Sequence, residues 1–80
     1  MHELRIVREV FDDLLKLSKK NKAAKVTKVY LRMGDFTEIN EEIVKHFFKE
    51  KGKGTCVESA ELSIEKTPNR ELTLVSFDCD

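Results

Sequence analysis

No CxxC pair occurs anywhere in this chain. Its two cysteines, Cys56 and Cys79, lie far apart, so a four-cysteine zinc cage is excluded. No apolar run approaches the length of a membrane span, and the start has no signal-peptide pattern. These absences set the expectation of a cytoplasmic protein with two reduced thiols. A charge bias is missing as well. Lys+Arg and Asp+Glu number 15 each, which argues against nucleic acid or an anionic membrane as partner, because both need a net basic footprint. The one basic run, residues 16–25 (KLSKKNKAAK), is diluted by Leu, Asn and Ala and closes a helix, where cations suit the dipole. There is no phosphate-binding glycine loop, no HExxH and no nucleophile elbow, so the sequence points away from an enzyme.

What is present is enough to fold. With 80 residues, 40% of them hydrophobic, the chain is read as one domain, 1–80, with a small core. Residues 4–20 read as an amphipathic helix, with Leu4, Val7, Val10, Phe11, Leu14, Leu15 and Leu17 at helical spacing. Residues 26–33 (VTKVYLRM) switch to a period of two, and Gly34-Asp35 ends the strand. Asn40 is a good N-cap for a second helix, with Glu41 and Glu42 in its first turn and Ile43, Val44, Phe47 and Phe48 as its apolar stripe. Gly52 and Gly54 stop it.

Residues 61–66 (ELSIEK) alternate, while 71–78 (ELTLVSFD) are apolar on both faces, which predicts a central or covered strand. Thr67-Pro68-Asn69-Arg70 suits a tight turn, so these last two strands are expected to pair as an antiparallel hairpin. The first strand, second helix and second strand form a unit long enough for a right-handed parallel crossover. The predicted fold is α+β, in the order α-β-α-β-β, with a three-stranded mixed sheet and both helices on one face.

Two histidines are the candidate metal ligands. His46 sits on the second helix, with only Glu42 and Glu50 at helical spacing, and reads as a surface or partly buried helix residue. His2 is next to a free amino terminus. The Met1 amine, the His2 backbone nitrogen and the His2 ring can form fused chelate rings in one plane, the preference of Cu(II) and Ni(II). The next backbone nitrogen, at Glu3, or a carboxylate would complete the square.

Four stretches together carry a resemblance: the opening MHEL, the strand VTKVYLRMGDF, the segment KGTCVESAELSIEKTP and the end NRELTLVSFDCD. In that order and spacing the chain resembles the HypA family of hydrogenase nickel-insertion proteins. The resemblance implies a nickel metallochaperone, not a catalyst. It would carry Ni(II) to [NiFe]-hydrogenase, and in some organisms to urease, working with a nickel-insertion GTPase and the hydrogenase large subunit. The implied site is Met1 through its amine, His2 through ring and backbone, and Glu3. Some members add a side chain at the start of the second helix, where this chain has Asn40. The family also carries a zinc ribbon between the last two strands. Here IEKTP runs directly into NRELTLV, so the insertion is absent at about 67–70 and no structural zinc is expected. The competing expectation is a metal-independent module that docks the GTPase or the hydrogenase subunit.

Overall fold

The first helix buries its apolar stripe because Val7, Val10, Phe11 and Leu14 recur at helical spacing, and all four are buried. In the computed structural model, which describes residues 2–80, this helix (α1) runs His2–Lys20. It is followed by β1 (Val26–Met33), α2 (Glu41–Lys51), β2 (Glu61–Lys66) and β3 (Leu72–Cys79). The stripe continues at Ser18, not at Leu17. Ser18 is buried with its hydroxyl bonded to the Leu15 carbonyl and 3.3 Å from Cys56 Sγ, whereas Leu17 is 40% exposed. On α2, Asn40 caps as its side-chain type dictates, accepting from the Ile43 N–H at 2.9 Å. Val44 and Phe48 are buried below it. Phe11 of α1 meets Phe48 edge-on, with centroids 5.3 Å apart, and this contact ties the two helices together.

The sheet has three strands in the order β2-β1-β3, with β1–β2 parallel and β1–β3 antiparallel. Val26, Val29, Leu31 and Met33 of β1 face the helices in a single core with α1 and α2. The mixed α+β arrangement agrees with the sequence reading, and one detail of it does not. β2 and β3 are not a hairpin; they are the two edges, and β1 is the central strand.

The apolar character of β3 on both faces has a local cause. Tyr30 pairs with Ser76 and Leu31 with Leu74, so Val75 is skipped in the register. This bulge puts Leu72, Leu74 and Phe77 opposite Met33, Leu31 and Val29, all toward the core. Val75 alone is left out, 52% exposed. A strict period of two puts Phe77 with Val75, on the face away from Leu72 and Leu74, and the bulge returns it to the core.

The link between the edges is a strap across the end of β1. Lys66 and Leu72 both pair with Met33, one from each side. Residues 67–71 must therefore cross two strand spacings, about 10 Å, which a two-residue turn cannot do. The strap is tied at both ends: Thr67 N–H donates to the Met33 carbonyl (3.0 Å) and Gly34 N–H to the Glu71 carbonyl (2.8 Å). Between those bonds the Asn69 carbonyl lies on Gly34, where an added Cβ would land on its oxygen. Glycine is needed here for close approach and not for its dihedral freedom. Gly34→Ala is expected to force the strap outward and to lower stability by about 3 kcal/mol. Urea unfolding checks this, and an unchanged midpoint would mean the strap does not press on Gly34.

Candidate metal centre

The first turn of α1 has backbone N–H groups with no partner inside the helix, so something outside must take them. Here that partner comes from the segment between β1 and α2: Glu3 N–H donates to Glu38 Oε1 at 3.3 Å. The favour is returned by the main chain. Glu38 N–H donates to Glu3 Oε1, and Thr37 donates to Glu3 Oε2 from its N–H (3.1 Å) and its hydroxyl (2.9 Å). Arg70, on the strap, donates to the same oxygen. Arg70 is itself steadied over the Phe36 ring, 5.9 Å from its centroid.

Glu3 is thus buried, 5% exposed, with both oxygens occupied. Burial alone pushes its carboxyl upward. The donors from Glu38, Thr37 and Arg70 outweigh that and hold its pKa at about 2, below the ordinary 4.5. Negative charge in the first turn also suits the helix dipole. No buried polar side-chain atom among the described residues lacks a partner.

Of the residues expected to bind metal, Met1 and the side chain of His2 lie outside the described residues. The backbone of His2 opens α1. Glu3 is described, and its carboxylate is fully committed to the protein. Glu38, which the sequence reading did not single out, is exposed, and its carboxylate accepts the Glu3 N–H at the first turn of α1. Asn40 is spent on capping α2. His46 is exposed on α2. Cys56 is half-buried, Cys79 is exposed, and both are free. Among the described residues no three His, Cys, Asp or Glu side chains converge as a metal cluster. No described helix is long and apolar enough to cross a membrane.

The sequence profile of the family described as "Hydrogenase/urease nickel incorporation, metallochaperone, hypA" matches residues 1–74. The chain is 37% identical over 65 residues to the hydrogenase maturation factor HypA of Methanopyrus kandleri, covering 81% of this chain and 46% of that protein. It is 40% identical over 62 residues to the HypA of Caldanaerobacter subterraneus, covering 78% of this chain and 54% of that protein. The chain spans about half the length of these curated relatives. The solution structure of the Ni metallochaperone HypA from Helicobacter pylori superposes with a TM-score of 0.55 over 85% of this chain and 68% of that one. At 18% identity that likeness is one of fold.

The anchoring of Glu3 has a pH signature. Its carboxyl is held below its unfolded value, so the ionised group contributes stability above about pH 4.5 that is lost as pH falls toward about 2. Glu3→Gln is expected to be less stable than the parent at neutral pH, and the gap should narrow through that window. Urea midpoints of the two metal-free proteins measure it. A gap that stays constant with pH would show that the ionised carboxylate is not what holds the terminus.

Proposed function

The chain belongs to the HypA family of hydrogenase/urease nickel-incorporation proteins, and on that premise we propose that it is a nickel metallochaperone domain loading Ni(II) at its N-terminus. Ni(II) is cargo, passed on and not consumed, and the domain is not a catalyst. Met1 supplies its amine, and His2 supplies its backbone nitrogen and ring. Glu3 borders the remaining position with its backbone nitrogen. Its carboxylate, already bonded to Thr37, Glu38 and Arg70, keeps that backbone in place.

The observation that carries this reading is the anchoring of residue 3 to two distant segments. A flexible chain end must lose its freedom when it chelates a metal, and a fixed neighbour reduces that loss. The donor chemistry also fits. A planar chelate needs main-chain nitrogens that have no helical hydrogen bond to give up, and the first turn of a helix supplies them. The positive end of the helix dipole opposes a cation there, and loss of the amide proton offsets it.

We assign the destination by family: the [NiFe]-hydrogenase large subunit, with urease as a further recipient, and a nickel-insertion GTPase as the working partner. We assign no structural zinc to residues 1–80, which hold no CxxC pair.

A nickel titration of protein with an authentic, untagged start is expected to saturate near one equivalent, with a yellow square-planar absorption. His2→Ala, or a residue added before Met1, should remove that binding. Parent-like affinity in either variant would overturn the site.

A further inference from the structure

We propose that β3 is an interface with a second copy of this chain: the two β3 strands pair edge to edge, antiparallel, about a two-fold axis between Val75 and Ser76. Among the described residues β3 bonds to β1 on one side, and no strand lies on its other side. Open edges are commonly blunted by charges or proline. β2, the opposite edge, carries Glu61, Glu65 and Lys66 in its short length. β3 is longer, carries Asp78 as its single charge and has no proline. An apolar groove runs along this edge between β3 and α1, lined by Leu17, Asn21, Leu74, Val75, Phe77 and Cys79. Leu17 and Val75, the large hydrophobic side chains that are exposed among the described residues, both lie on it.

The order of faces along the strand selects the occupant. Leu72, Leu74, Phe77 and Cys79 stand opposite Met33, Leu31, Val29 and Val26, the core side of β1. Thr73, Ser76 and Asp78 stand opposite Arg32, Tyr30 and Lys28 on the outer face, and the bulge leaves Val75 on that face too. From 72 to 79 the faces therefore run in, out, in, out, out, in, out, in, which reads the same from either end. Opposed residues of an antiparallel pair share a face. About an axis between Val75 and Ser76 every residue of β3 meets that condition. Leu74 opposes Phe77 of the second copy, Leu72 opposes its Cys79, Thr73 its Asp78 and Val75 its Ser76. A shift of one residue either way sets core-facing side chains against outward ones. The bulge, which disrupts pairing with a regular strand, thus admits its own copy. Charge on the flanking helix agrees. Asp13 lies at the Leu72 end of this edge and Asn21 at the Cys79 end. The axis therefore runs α1 antiparallel to the α1 of the copy. The acidic stretch of one (Glu9, Asp12, Asp13) then lies alongside the basic stretch of the other (Lys16, Lys19, Lys20).

The pairing does not depend on nickel, so metal-free protein tests it apart from the metal reading. Sedimentation of the parent at a concentration on the order of 100 μM is expected to show a dimer. Val75→Lys puts two like charges at the axis and should raise the dissociation constant by about tenfold or more. Val75 is exposed, so this variant is expected to keep the parent's circular dichroism. The register is read by cross-linking in a Cys79→Ser background. Thr73→Cys combined with Asp78→Cys should form a disulfide-linked dimer on mild oxidation, because those positions oppose each other across the axis. Thr73→Cys alone should not. A parent that sediments as a monomer overturns the proposal. So does a dimer that Val75→Lys leaves intact, which would lie on another surface. A double-cysteine variant that links no better than the single one overturns the register and the pairing argued from it.

Discussion

The buried Glu3 carboxylate is the constraint on which the joining of α1 to the segments around it depends. A carboxylate shut away from water must be compensated in full or it would neutralise. Here the compensation comes from Thr37 and Glu38 before α2 and from Arg70 on the strap. One side chain therefore fixes three segments that are far apart in sequence. The first turn of α1 is held by this web together with Leu4, which is only partly buried against the core. Without Glu3 the helix would still pack along Val7, Val10, Phe11 and Leu14, and its first turn would keep only the Leu4 contact.

The web connects to the sheet topology through the strap. A mixed sheet with the chain entering at its centre leaves β2 and β3 on opposite edges. The link between them has to pass over the end of β1, and Gly34 is the place where it can lie flat. That crossing brings Arg70 onto Glu3. The same residues 67–71 that solve a problem of strand connection thus supply the cation of the buried pair. A true hairpin between β2 and β3 would have no reason to cover the end of β1.

Much of the architecture was legible because it follows from local periodicity. The helical stripe of α1, the cap at Asn40 and the parallel crossover needed only spacing and residue type. The errors came from features that spacing does not encode. A bulge at Val75 changes which side Phe77 faces, and no pattern of period two announces it. Pro68-Asn69 signals a turn but not which strands the turn joins. The expectation of a metal at Met1 and His2 rests on residue chemistry and resemblance, and Met1 and the His2 side chain lie outside the described residues. The nearness of Glu38 to Glu3 was not legible, because it is a contact across 35 positions that only the fold creates. Glu3 itself was read as a ligand by resemblance, and the structure gives its carboxylate a supporting task.

A carrier has to let its cargo go, and the site proposed here is built for that. The donors proposed are Met1 and His2, whereas the buried web is built by Glu3, Thr37, Glu38 and Arg70. Release would let the His2 backbone amide regain its proton. The first turn of α1 is capped in the metal-free protein, because Glu38 accepts the Glu3 N–H. The buried Glu3 web is common to both states, so the fold is not unmade when the metal leaves. Stability is vested in the buried carboxylate of Glu3, and exchange, on this reading, in the two residues before it.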